Sequence, residues 1–94
     1  MVLITEQDGL KRLIHEEPVV YPELARQARV QGTVSLQVTV DTEGKIYEVL
    51  VESAHPLLAS AAREAVLKYH YAPFLLAGTP RPFRTVVQVR FALP

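Results

Sequence analysis

The chain has no cysteine, which excludes a disulfide framework and a thiolate metal site and leaves the redox compartment open. It has no net charge either, since ten Lys and Arg balance ten Asp and Glu. No global field draws it to nucleic acid or an anionic membrane, and a nucleic-acid partner is not expected. Long apolar runs are missing as well: nothing approaches the roughly twenty apolar residues that span a bilayer. The opening stretch, "MVLITEQDGLKRLIHEEP", lacks a basic region followed by an apolar one. As given, the chain reads as soluble.

Catalytic patterns are equally sparse. Only four glycines occur and none builds a phosphate loop; "EGK" around Gly44 reads as a hairpin turn. His15, His55 and His70 are the only imidazoles, and none pairs at the spacing of zinc ligands. Ser53, His55 and Asp41 contain the letters of a triad without a nucleophile elbow. Glu48 and Glu52 read as charges on a solvated strand face. The chain is expected to be no enzyme, with no metal and no cofactor.

What is present suffices for one folded domain. Of the 94 residues, 49% are hydrophobic and 21% charged, an ordinary balance that excludes a disordered chain. Residues 1–17 form an arm of open structure: Thr5 and Asp8 suit the start of a short helix through Leu13 and Ile14, Gly9 weakens it, and an extended arm is the alternative. In "PVVYPELARQARVQG", Pro22 suits a first helical position, Arg26 and Arg29 the negative end, and Gly32 the stop. A helix over residues 22–30 is expected, burying Leu24, Ala25 and Ala28.

"TVSLQVTV" alternates without error, turning Val34, Leu36, Val38 and Val40 inward and Thr33, Ser35, Gln37 and Thr39 outward. "DTEGK" is a turn and "IYEVLVES" a second strand, making a hairpin over residues 33–53. Its phase is broken: Ile46 and Leu50 share one face while Tyr47, Val49 and Val51 share the other. Either a bulge intervenes or an apolar side chain sits on the open face. Leu58, Ala61, Ala62, Ala65, Val66 and Tyr69 then recur at helical spacing behind Pro56, predicting a helix over residues 56–69. Tyr69, Tyr71 and Phe74 read as an aromatic lock between that helix and the sheet. After a linker, "APFLLAGTPRP", the chain ends on "FRTVVQVRFALP", whose Phe83, Thr85, Val87, Val89, Phe91 and Leu93 alternate with Arg84, Val86, Gln88 and Arg90.

The order α-β-β-α-β implies an α+β two-layer sandwich: a three-stranded antiparallel sheet, order 2-1-3, with two helices on one face. The last strand is then an edge, with a row of backbone donors and acceptors available to another chain. Arg84 and Arg90 on it suit both gatekeeping against unwanted pairing and recognition of an acidic peptide. The N-terminal arm, with Leu13, Ile14, Val19 and Val20, can itself cover one side of the sheet.

These parts, in this order, resemble the C-terminal domain of TonB-type energy transducers. The resemblance runs over residues 21–93: Tyr21-Pro22 opening a helix, Gly32 before an alternating strand, the acidic turn ending in Gly44, the alanine-rich helix, "KYHYAP", and the closing "VRFAL". Two features depart from the family: "EEPVV" stands where well-known members are Gln-rich, and Tyr69 stands where many carry Trp. The resemblance implies that residues 18–94 form a TonB C-terminal-like domain. It implies a periplasmic location, with inner-membrane anchoring and motor proteins reached through an N-terminal region of a longer protein from which this chain is excised. It also implies β-strand addition by a TonB-box peptide of an outer-membrane transporter. The edge residues concerned are Arg84, Thr85, Val86, Val87, Gln88, Val89, Arg90 and Phe91, with additional contact from Pro18, Val19, Val20 and Tyr21. Homodimerisation through the same edge is the alternative.

Overall fold

A computed structural model describes residues 1–94. In chain order its elements are β1 (Val2–Leu3), α1 (Glu6–Arg12), β2 (Leu13–His15), α2 (Glu23–Gln27), β3 (Gly32–Val40), β4 (Ile46–Ser53), α3 (Pro56–Val66), β5 (His70–Tyr71), β6 (Phe74–Leu76), β7 (Thr79–Arg81) and β8 (Phe83–Phe91). The two nine-residue strands, β3 and β8, pair antiparallel without a register break, from Gly32 opposite Phe91 to Val40 opposite Phe83. β4 pairs on the other side of β3. This β4-β3-β8 core is the expected 2-1-3 arrangement.

The sheet is nevertheless four-stranded and mixed, in the order β1-β8-β3-β4, which corrects the expected three-stranded antiparallel sheet. The fourth strand comes from the arm: Val2 pairs with Phe83 and Leu3 with Arg84, in parallel. The short apolar alternation of Val2 and Ile4 suits this position, because one side of the added strand faces the core and the other faces water. Two small ladders complete the fold, β2 with β5 and β6 with β7.

One face of the sheet supplies the core. Val34, Leu36, Val38 and Val40 from β3, Val49 from β4, and Phe83, Val87, Val89 and Phe91 from β8 are buried there. Leu58, Ala62 and Val66 of α3 join the same cluster. Alanine on the helix lets its backbone lie close to the sheet, and the larger strand residues fill the remaining space. His55 starts α3 by accepting the Leu57 N–H on its Nδ1 at 3.1 Å. The helix ends at Val66 rather than at Tyr69. Tyr69 and Tyr71 stay buried on the chain beyond it, and Tyr71 and Phe74 both contact the ring of Phe83.

Both explanations of the broken phase in β4 hold at once. The register skips Tyr47 between the Ile46 and Glu48 pairs and skips Glu52 between the Val51 and Ser53 pairs. The bulge at Tyr47 brings Ile46 and Val49 to the core side together, and Leu50 remains exposed.

Helix α2 is shorter than its polar pattern predicts. It ends at Gln27, buries only Ala25 and leaves Leu24 67% exposed. Arg29, not Gly32, takes the left-handed position, with φ 55°. The Val30 N–H bonds back to the Ala25 carbonyl at 2.8 Å and the Arg29 N–H to that of Arg26 at 3.1 Å. This is a Schellman closure around a residue with a Cβ. The expected linker is also structured: β6 and β7 form a hairpin turning at Ala77-Gly78, both at positive φ.

Gly44 joins the hairpin turn to β5, the strand after α3. At φ 88° its carbonyl accepts the Tyr71 N–H at 2.8 Å, and a Cβ there would overlap the Tyr71 carbonyl oxygen. Gly44→Ala therefore combines a left-handed penalty of about 1–2 kcal/mol with an overpacking cost of about 1–3 kcal/mol. Urea denaturation should show a loss of at least about 2 kcal/mol, the low end of that sum. By the same backbone argument in reverse, Arg29→Gly should raise stability by about 1 kcal/mol; an unchanged midpoint would contradict the strain assigned to that cap.

Candidate partner-binding edge

Within β8, side chains and backbone groups alternate independently. Phe83, Thr85, Val87, Val89 and Phe91 are buried, whereas Gln88 and Arg90 are exposed and Arg84 and Val86 half-buried on the open face. The Arg84 carbonyl accepts the Ile4 N–H at 2.9 Å, so the backbone of Arg84 points away from β3. Strand alternation then turns one N–H and one C=O at each of Val86, Gln88 and Arg90 to the same side. No backbone hydrogen bond outside the ladders reaches these three residues.

The first part of this edge is covered. Beyond β1, α1 lies against Thr85: Gly9 is buried there, and an added Cβ would stand 2.7 Å from Thr85 Oγ1. The Thr85 hydroxyl donates to the Thr5 carbonyl at 3.0 Å, and the Thr5 side chain caps α1 by accepting the Asp8 N–H at 3.1 Å. Glycine, a weak helix former, is used here because the helix axis must approach a strand side chain closely. Glu6 Oε1 lies 3.5 Å from Gln88 Nε2. The arm thus covers the edge over Phe83–Arg84 and flanks Thr85, leaving the stretch from Val86 to Phe91.

The two arginines differ. Arg84 Nε donates to Thr39 Oγ1 at 3.1 Å, Thr39 donates to Glu48 Oε1 at 3.1 Å, and the Arg84 guanidinium lies 3.6 Å from the same carboxylate. This row crosses three strands and buries Thr39 to 2% exposure on the otherwise open face. Arg84 is committed internally; Arg90 is exposed and forms no ion pair.

The residues expected to add contacts are divided. Tyr21 meets Phe91 edge-to-face at 5.4 Å and donates its hydroxyl to the Val30 carbonyl, bracing the far end of β8 from the core side. Val19 packs on the core. Pro18 and Val20 instead line a groove of about 320 Å³ against Leu57, Ala61 and Glu64 of α3. The sheet's other edge, β4, is interrupted by its bulges at Tyr47 and Glu52. Residues 2–9 escaped the sequence-based site; their signals were the Val2/Ile4 alternation and the Thr5 cap.

The chain matches the family described as the Gram-negative bacterial TonB protein C-terminal over residues 17–93. It belongs to the TonB C-terminal family. A curated relative, Protein TonB of Vibrio cholerae serotype O1, is 31% identical over 75 residues, which cover 78% of this chain and 31% of the relative. The chain therefore spans about a third of that relative's length. The solution NMR structure of the Pseudomonas aeruginosa TonB CTD matches with a TM-score of 0.69 at 25% identity, covering 87% of this chain and 85% of the other. No helix here is long and apolar enough to cross a membrane.

The arm also shapes the electrostatics of this TonB-family domain. Burial, helped by the negative charge of Glu16, pushes the Tyr69 hydroxyl up to about 12. Burial first, then Tyr69 and Glu16, raises Tyr71 as well. In the unfolded chain both phenols ionise near 10. Their contribution is complete below that pH; that of Tyr69 is lost as pH rises from about 10 through about 12, and that of Tyr71 continues to fall above this range, because the unfolded chain releases its protons first. Thermal melts should therefore fall over this alkaline range, and Tyr69→Phe should flatten the fall; an unchanged slope would refute the assignment.

Proposed function

We propose that this chain is the partner-binding module of a TonB-type energy transducer, a non-catalytic domain that accepts an extended segment of an outer-membrane transporter as an added strand on β8. The observation that carries this reading is the uninterrupted backbone edge from Val86 to Phe91 in a member of the TonB C-terminal family. In the full-length protein the domain would work in the periplasm, anchored in the inner membrane and driven by motor proteins that contact regions outside this chain. Arg84, Thr85, Val87, Val89 and Phe91 hold the strand in place, and Val86, Gln88 and Arg90 present it to the TonB-box peptide.

Magnitudes set the character of the contact. Each added backbone hydrogen bond contributes about 0.5–1.5 kcal/mol net, and association costs about 4–15 kcal/mol. A short added strand barely breaks even on its backbone. Affinity must come from side chains beside Val86 and Arg90 and from the effective concentration of a tethered partner. Binding by the isolated domain is accordingly weak and transient.

Proline at Val86 or Gln88 removes an outward N–H without touching the β3 ladder. Titration of the domain with a TonB-box peptide, followed by NMR, should show binding abolished in both variants while their melting stays near that of the parent. Unchanged binding would sink the strand-addition reading. Sedimentation over a range of concentrations tests the homodimer that the same edge can form: a persistent monomer excludes it.

A further inference from the structure

We propose that residues 1–4 are an internal occupant of the acceptor edge, holding the place of the partner strand, and that the partner displaces them when it binds. This rests on the strand-addition reading of β8. Val2 and Leu3 pair with Phe83 and Arg84, and Ile4 donates its N–H to the Arg84 carbonyl. Val2 and Ile4 pack toward the core, while Leu3 between them is 71% exposed. That is the side-chain pattern of an added strand, with apolar residues two apart turned inward.

The hold on these residues is slight. Their strand is two residues long and stops at Thr5, where α1 begins. α1, by contrast, is anchored: Gly9 is buried against Thr85, Thr5 accepts the Thr85 hydroxyl, and β2 beyond the helix pairs with β5. The chain can therefore open at Ile4–Thr5 while the helix stays. Opening adds the outward backbone of Arg84 to that of Val86, Gln88 and Arg90, and extends the acceptor from Val86–Phe91 to Phe83–Phe91. An arm that fills this place most of the time lowers the apparent affinity by the fraction of molecules in which the edge is open.

The test compares the full chain with a form lacking residues 1–4 and with Ile4→Pro, which keeps the length but removes the N–H donated to Arg84. Each is titrated with a TonB-box peptide by NMR, and thermal melts report the fold. Both variants should bind about tenfold more tightly, equivalent to about 1.4 kcal/mol. In the full chain the Ile4 amide should lose hydrogen-exchange protection at saturation while the Gly9 amide, bonded to the Thr5 carbonyl at 2.9 Å, keeps its own. Equal or weaker binding by the variants, or an Ile4 amide that stays protected, overturns the internal occupant and leaves strand addition standing. No binding by any of the three overturns both. If the shortened form does not fold, Ile4→Pro and the exchange measurement decide.

Discussion

The unbroken pairing of β3 with β8 is the constraint from which the rest of the fold follows. These strands lie more than forty residues apart in the chain, so their pairing closes a long loop and is opposed by its entropy. It is repaid by a continuous apolar surface, four inward residues of β8 (Phe83, Val87, Val89 and Phe91) against the inward residues of β3, covered by α3. Because β4 occupies one side of β3 and β8 the other, the crossover through α3 leaves the second side of β8 without a long partner, and β1 takes only Phe83 and Arg84 of it. The open stretch of β8 is thus a topological consequence of how the core is built, not a feature added to it.

The protein treats its two edges differently. On β4, bulges at Tyr47 and Glu52 interrupt the repeat that a foreign strand would have to match, and the bulged residues and Leu50 are exposed without offering a continuous ladder. On β8 there is no bulge in nine residues. Its protection comes from the chain itself: β1 over the first two positions, Glu6 reaching toward Gln88, and Arg90 adding charge near the far end. A bulge is built into its strand, whereas a two-residue strand is held by few backbone bonds. Under the proposed strand addition, an edge that pairs with a partner yet avoids indiscriminate pairing is better guarded by the second device.

The central elements were legible because several signals agreed in each. β3 combined strict alternation with a turn at its end; α3 combined a helical stripe with Pro56 at its start; β8 alternated through its whole length. The arm was harder to read, because a two-residue strand has no periodicity and Gly9 carries opposite meanings in isolation and in a close helix–strand contact. Leu24 misled because an apolar side chain on a one-turn helix has no second residue to fix its face. The β6–β7 hairpin was hidden by Ala77 at φ 52°, a position where the usual turn signal is Asn or Gly. At Gly9 tertiary contact, rather than local preference, decided the conformation.

The candidate edge was legible as a strand, while the chemistry of any contact on it was not, for a physical reason. Strand addition is made by backbone N–H and C=O groups, which every non-proline residue carries, so no particular side chain marks the contact. The open-face arginines looked like a matched pair in the sequence, since both stand at alternating positions of one strand. Only the cross-strand partners distinguish them: Thr39 and Glu48 engage Arg84, and Thr33, opposite Arg90, offers no charge. Removing Arg84 would therefore disturb the sheet's own polar row as well as any contact with a partner. Under the proposed strand addition, Arg90 is the position at which a charge change would act on recognition with the least effect on the fold.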